Sequence, residues 1–219
     1  MAARELLREL ATQFEQRHGQ SVLLEAAGGV EVAKRLRAGE LADVVVLARS
    51  SIDTLVSEGM LRADSVSDIA QSGIAVAVPA MSALPDISSE AAVRAAVERA
   101  PTLSYSTGPS GAYLEKKFAA WGLLETLRPR IVVPPPGTPV GSLVASGRAA
   151  LGFQQLSELQ GMTGLQLAGL LPPGVQLMTT FSGAVTSTSA HAHRGRQLLA
   201  FMASPLTAEV KRRCGMEAC

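Results

Sequence analysis

The sequence predicts an α/β protein built from two lobes, and two observations predict it. Segments with apolar residues at helical spacing alternate with short runs of β-branched residues along the whole 219-residue chain. Proline- and glycine-rich breaks interrupt this alternation near Pro79 and again at Pro172 to Gly174. Because helix-length segments separate the strands, the pattern predicts parallel sheets with right-handed crossovers.

Length and composition indicate a globular protein. Apolar residues make up 47% and charged residues 18%, which excludes disorder, and no apolar run is long enough to insert into a membrane. Twenty basic residues nearly balance nineteen acidic ones, and no basic block occurs. Nucleic acid is therefore not an expected partner.

The N-terminal third predicts most of the first lobe. From Ala3 to His18, leucines and Phe14 share one face, so the segment reads as an amphipathic helix ended near Gly19. The elements that follow alternate between strand and helix: the strand SVLLEA, the helix VEVAKRLRAGE, the buried strand ADVVVLA, the helix IDTLVSEGML and the buried strand GIAVAVP.

The same alternation resumes after the proline-rich link MSALPDISS. The predicted elements are the helix EAAVRAAVERA, the strand TLSYS, the helix AYLEKKFAAWG, the strand RIVVPP, a helix from about Thr138 to Ser146, the strand AALGFQQ, the long strand VQLMTTFSGAVTS, and the helices RGRQLLAFMAS and TAEVKRRCG. The two breaks predict a discontinuous first lobe, residues 1–78 plus 180–219, and a second lobe, residues 79–179. Hinge strands are expected near 73–79 and 175–184.

The order of these landmarks resembles a known family. The stretch from FEQRHG through AAGGV and ADVVV to EGML, and later PSGAY and AALGF, is similar to bacterial molybdate-binding-protein-like solute receptors. The resemblance implies the type II periplasmic-binding-protein fold, in which two α/β lobes close on a small ligand in the cleft between them. It also implies an ABC transporter permease as partner if the protein is exported.

The start of the sequence departs from that family. Its members open with a strand before the first helix, whereas this chain begins inside the turn that follows, and MAARELLREL has no secretory signal. We therefore expect a cytoplasmic protein for the chain as written and a periplasmic one if it is a mature or truncated form. An upstream start is favoured, because a missing central strand would expose backbone groups.

Four segments, residues 27–30, 107–112, 137–141 and 153–155, fall where α/β sheets bind ligands, beyond the carboxyl ends of strands. Three of them precede a helix, where unpaired N–H groups and the helix dipole attract an anion. The alternative for each segment is ordinary turn and cap chemistry. The predicted ligand-binding residues are Ala3, Arg4, Gly28, Gly29, Val30, Thr107, Gly108, Ser110, Gly111, Ala112, Tyr113, Pro139, Val140, Gln154 and Gln155.

The departures from the family pattern concern the ligand. Gly28 and Gly29 stand where molybdate binders commonly have a serine, and Gln155 stands where the family often has a tyrosine. Fewer hydroxyl donors weaken the case for molybdate or tungstate, whereas amides suit an organic carboxylate. Arg4 is a possible bidentate partner for an anion, although a solvated helix charge is the alternative.

Motifs of catalysis are scarce, so a binding protein is favoured over an enzyme. The sequence has neither a phosphate-binding P-loop nor a G-x-S-x-G turn. The spacings of His191 with His193 and of Cys214 with Cys219 are weak metal signals, so neither a metal nor a cofactor is predicted.

One enzymatic alternative stays open, because some proteins that resemble this fold, such as aconitate isomerase, isomerise small polycarboxylates. That reaction needs a base, and the candidates are Glu25, Tyr105, Tyr113 and Glu115, none with a supporting motif.

Overall fold

A computed structural model describes residues 2–135 and 137–219 of the chain. The contacts within it divide the chain into two compact units. The first unit runs as far as Ser72 and resumes at Thr179–Cys219, and the second is Gly73–Met178. Each unit has its own apolar core, since the buried clusters fall within one unit or the other.

Helices and strands are interspersed along the chain, and several helices follow one another directly. They are α1 (Arg4–His18), α2 (Gly29–Arg37), β1 (Val44–Ala48), α3 (Arg49–Ser57), β2 (Ser67–Pro79), α4 (Glu90–Arg99), β3 (Leu103–Tyr105), α5 (Pro109–Ala120), α6 (Leu124–Leu127), α7 (Val140–Ala145), β4 (Leu151–Gln155), α8 (Leu156–Leu159), β5 (Leu165–Leu170), β6 (Met178–Val185), α9 (Ala192–Ala203) and α10 (Ala208–Arg213).

The first unit packs α1, α9 and α10 around one apolar cluster. Leu6, Leu10 and Phe14 form the buried face of α1, as the periodicity predicts. Gly19 ends that helix in the left-handed conformation, with φ 64°, and its N–H donates to the carbonyl of Glu15. The strand order is β1–β6–β2, and β1 runs antiparallel to β6.

The second unit is built on β2, β3, β4 and β5. Strand β3 runs parallel to β4, with Leu103 opposite Leu151. Strand β2 pairs antiparallel with both β4 and β5. Phe118 of α5 packs edge-on against Phe153 of β4, with ring centroids 6.1 Å apart, so the helix lies on the sheet.

The prediction of parallel sheets is wrong for most strand pairs. Only β3 with β4 is parallel among the pairs given above, and the sheets are mixed. The alternation of helix-length and strand-length segments predicts what each segment becomes, but not which strands become neighbours. Here β2 pairs with β4 and β5 instead of with β3, the next strand along the chain.

Two predicted strands are wrong as well. SVLLEA forms no strand: Val22 donates its N–H to the Glu15 carboxylate instead, at 2.6 Å, and Leu23 is 92% exposed. A strand needs a neighbour to accept its backbone hydrogen bonds, and no described strand pairs with this segment. In RIVVPP only Ile131 forms an isolated bridge, to Leu103, because the prolines that follow have no N–H to donate.

One charged side chain is enclosed in the first unit. Lys211 of α10 is fully buried, and within the described part of the chain its Nζ atom has no hydrogen-bond partner. Burial lowers the pKa of this ammonium group, and the charge of Cys219 partly opposes that effect.

Candidate functional site

The turn between β3 and α5 presents backbone donors at the start of a twelve-residue helix. Gly108 is the N-cap and carries no capping side chain, and Pro109 occupies the first turn. The helical hydrogen bonds begin with Ala112, whose N–H donates to the carbonyl of Gly108 at 3.1 Å. The N–H groups of Ser110 and Gly111 precede this ladder, so they have no acceptor within the helix.

Gly111 lets this helix approach the end of β3 closely. A Cβ atom placed on Gly111 would stand 1.6 Å from the carbonyl oxygen of Ser106 and 3.2 Å from a ring carbon of Tyr105. No side chain fits there without moving the backbone. The glycine is therefore required for contact between helix and strand end, whatever its role towards a ligand.

A pocket of about 210 Å³ opens beside this turn. Hydroxyl groups, two helical backbone positions, a carboxylate and two apolar side chains line it. The lining residues are Tyr105, Ser106, Thr107, Gly111, Ala112, Glu115, Ile131 and Val133. The hydroxyl of Ser106 also contacts that of the buried Ser110, at 2.8 Å between the oxygens.

Tyr105 and Glu115 form a hydrogen-bonded pair at the pocket. The buried Tyr105 donates its hydroxyl to Glu115 Oε1 at 2.9 Å. Burial raises the pKa of Tyr105, the hydrogen bond to Glu115 raises it further, and the positive charge of Arg128 acts in the opposite direction. The phenol therefore stays protonated at neutral pH and acts as a donor to the carboxylate.

The predicted residues of the second unit fall into two groups. Thr107, Gly111 and Ala112 line the pocket, with Gly108 and Ser110 in the same turn. The others lie elsewhere: Tyr113 is half-buried with Lys117 Nζ 5.9 Å from its ring centroid, Pro139 and Val140 stand at the start of α7, and Gln154 and Gln155 are buried at the end of β4.

Gln154 has a structural partner. Its Oε1 accepts the N–H of Gly141 at 3.1 Å, so this amide oxygen satisfies a backbone donor of the first turn of α7.

The predicted residues of the first unit lie at the starts of α1 and α2. Ala3 is the buried N-cap of α1, and Arg4, the first residue of that helix, is exposed. Gly28 is the N-cap of α2 and Gly29 its first residue, while Val30 is 83% exposed. Their part in ligand binding stays a prediction.

Sequence reasoning missed three of the lining residues, Ser106, Ile131 and Val133. Ser106 stands in the same turn as Thr107, so the hydroxyl pattern S-Y-S-T contained its signal. Ile131 and Val133 are two residues apart in an extended segment and so share a face, but only the bridge from Ile131 to Leu103 brings that face to the pocket.

The described residues form neither a metal-binding cluster nor a membrane-spanning helix. Within residues 2–135 and 137–219, no group of three or more His, Cys, Asp or Glu side chains is placed to hold a metal ion. None of the helices described there has the length and apolar character needed to cross a bilayer.

Comparison with known proteins gives matches over nearly the whole chain. Residues 1–217 match the family described as bacterial extracellular solute-binding protein. An aconitate isomerase from a Pseudomonas species is 38% identical over 206 residues, which cover 90% of this chain and 78% of that protein.

Solved structures match as well. The periplasmic molybdate-binding protein of Azotobacter vinelandii superposes with a TM-score of 0.80 at 21% identity, over 100% of this chain and 96% of that one. The substrate-binding domain of a putative molybdenum ABC transporter from Clostridium difficile gives 0.75 at 14% identity, over 100% and 95%. These likenesses confirm the predicted type II periplasmic-binding-protein fold.

Proposed function

The chain belongs to the family of bacterial extracellular solute-binding proteins, and from that premise we propose that it binds a small organic carboxylate in the pocket at the start of α5. The observation that carries the proposal is the pocket's set of donors. Ser106 and Thr107 offer hydroxyls, and the first turn of α5 offers N–H groups and the positive end of the helix dipole. Among the described lining residues there is no lysine or arginine, so hydrogen bonds hold the anion.

The remaining wall of the pocket supports an organic acid over molybdate or tungstate. Ile131 and Val133 provide an apolar surface, and Glu115 provides a carboxylate. A compact tetrahedral oxyanion gains nothing from the apolar surface and is repelled by the carboxylate. An organic acid places its carbon chain against the apolar surface and a hydroxyl or C–H group towards the Glu115 carboxylate.

A ligand screen with a matched variant pair tests the proposal. The wild-type chain is titrated with molybdate, tungstate, citrate, cis-aconitate and trans-aconitate while thermal unfolding is followed. A carboxylate at a hundred times its dissociation constant should stabilise the protein by about 2.7 kcal/mol. Thr107→Val should weaken that ligand about fivefold by removing a donor, whereas Thr12→Val, an exposed threonine of α1, should leave the affinity unchanged. Stabilisation by molybdate alone would refute the preference for a carboxylate.

A second candidate function is isomerisation of a small unsaturated polycarboxylate. The observation that favours it is the 38% identity to an aconitate isomerase over 90% of this chain. Incubation with cis-aconitate, followed by proton NMR, tests it. Formation of trans-aconitate supports the isomerase function. If cis-aconitate binds but is not converted, the isomerase function is rejected and the binding function is kept.

The two candidates also differ in location and partner. A receptor for uptake works outside the cytoplasm and delivers its ligand to an ABC transporter permease, whereas an isomerase requires no permease. Fractionation of cells that express the gene from its native start separates the two. A periplasmic protein that co-purifies with a membrane permease supports the receptor, and a cytoplasmic protein excludes uptake.

A further inference from the structure

The position of Glu115 on α5 directs its carboxylate towards the anion-binding turn. Glu115 lies four residues after Gly111, so the two share a face of the helix, and helical side chains tilt towards the N-terminus. Glu115 therefore lines the same pocket as the first-turn donors, about 6 Å further along the helix axis.

Tyr105 fixes the orientation of this carboxylate. Its ring is buried at the end of β3 and packs edge-on against Phe118, with 5.9 Å between centroids. Its hydroxyl donates to Glu115 Oε1, and from the described residues Glu115 Oε2 receives no hydrogen bond. One carboxylate oxygen is thus held by a rigid donor while the other is accessible from the pocket.

We propose that Glu115 is the catalytic base of this pocket and that Tyr105 is its positioning residue. The proposal rests on the second candidate function, and it assigns a substrate class: an unsaturated polycarboxylate with a methylene group next to the double bond. One substrate carboxylate is bound by the first turn of α5 and the hydroxyls of Ser106 and Thr107. The methylene group then faces Glu115.

The proposed step moves one proton within the substrate and neither gains nor loses protons or electrons. Glu115 Oε2 takes a proton from the methylene carbon, and the electron pair of that C–H bond spreads over the allylic carbons and onto the bound carboxylate. Donors of the first turn stabilise the charge that develops on its oxygens. Glu115 then returns the proton to the far allylic carbon, so the double bond moves by one position. No oxidant, reductant or other reactant is consumed.

Deuterium exchange on the full chain tests the assignment. The protein is incubated with cis-aconitate in D₂O, and proton NMR follows both deuterium uptake into the methylene position and the appearance of trans-aconitate. Glu115→Gln should lower both rates about 10²- to 10⁴-fold, because the amide cannot accept the proton. Glu98→Gln, an exposed glutamate of α4 that pairs with Arg94, is the matched control and should retain the wild-type rates.

Tyr105→Phe tests the positioning role separately. Loss of the hydroxyl frees the carboxylate to rotate, so kcat should fall at least about tenfold while KM and ligand-induced stabilisation stay within twofold. A purely structural role would instead raise KM and lower the melting temperature. Glu115→Asp serves as a second variant of the base, and it should retain part of the exchange activity because its carboxylate is set back by one methylene.

The outcomes separate this proposal from the binding function. If the wild type binds cis-aconitate without exchange or isomerisation, the proposal is overturned and only the binding function remains. If exchange persists in Glu115→Gln, the proposal is overturned: the protein is an isomerase, but its base is another residue. A wild-type chain that binds no carboxylate overturns both the binding function and the proposal.

Discussion

Two glycine turns, one in each unit, look alike in the sequence but differ in their surroundings. Gly28 and Gly29 open α2 in the first unit, and Gly108 and Gly111 open α5 in the second. A Cβ at Gly29 would meet only Leu47, at an ordinary 3.6 Å, whereas a Cβ at Gly111 would stand 1.6 Å from a backbone oxygen. The first turn is open, and the second is closed against a strand.

Two buried polar side chains, one in each unit, also differ in their hydrogen-bond partners. In the second unit the amide oxygen of the buried Gln154 accepts a backbone N–H from Gly141. In the first unit the ammonium group of Lys211 is enclosed without a hydrogen-bond partner among the described residues. Removal of the Gln154 amide and removal of the Lys211 ammonium group are therefore expected to have opposite effects on stability.

The largest effect is expected for Gly111→Ala. Its methyl group would overlap the carbonyl of Ser106, so the free energy of unfolding should fall by about 3 kcal/mol. Urea denaturation measures the change. A loss below about 0.5 kcal/mol, the level of an ordinary surface substitution, would show that the turn adapts and would remove the contrast between the two turns.

The next effect concerns Gln154. Gln154→Leu would leave the N–H of Gly141 buried without its acceptor, at a cost of about 2 kcal/mol in the free energy of unfolding. Gln16→Leu, an exposed glutamine of α1, is the control and should change stability by less than about 0.5 kcal/mol. Equal effects of the two variants would contradict a capping role for Gln154.

Lys211→Met should instead stabilise the protein, by about 1 kcal/mol at neutral pH. The substitution replaces an enclosed ammonium group with an apolar side chain of similar volume. Burial lowers the pKa of Lys211 in the folded state, so the unfolded chain binds more protons between that pKa and about 10.4. Wild-type stability therefore rises with pH across this window.

The advantage of Lys211→Met should accordingly shrink as the pH approaches about 10.4, and melting temperatures measured across the range check this. The exposed Lys34→Met is the control. A variant that melts below the wild type at neutral pH would show that the buried charge is compensated.

The smallest effect is expected for Gly29→Ala. The added methyl group meets Leu47 at van der Waals distance, and alanine favours the helix that begins here. We expect a gain of about 0.5 kcal/mol in the same urea assay that reports the loss for Gly111→Ala. A loss above about 1 kcal/mol would mean that both turns are closed to side chains.

Elements with a strong local pattern were predictable from the sequence. The apolar face of α1 and its stop at Gly19 follow from helical periodicity and a glycine cap. The buried run GIAVAVP lies within β2. SVLLEA forms no strand because its strand character depends on a partner. Strand β5 was not predicted, because LQLAGL lies just before the proline break at Pro172 to Gly174.

The sequence predicts the backbone turn of the candidate site but not the side chains that line the rest of the pocket. The turn before α5 could be found because glycine, proline and hydroxyl residues follow a strand and precede a helix. The pairing of Tyr105 with Glu115 depends on how closely α5 approaches β3, and the wall of Ile131 and Val133 depends on a bridge across twenty-eight residues of chain. Such contacts are tertiary, so no local pattern encodes them.

The division of the first unit into two stretches of chain has a consequence for synthesis. During translation, all of Gly73–Met178 is synthesised before Thr179–Cys219. The second unit can therefore fold while it is still nascent, whereas the helices of the N-terminal stretch wait for α9, α10 and β6 to cover them. At about 5–20 residues per second this delay lasts many seconds, and during it the apolar face of α1 is the surface that a chaperone would meet.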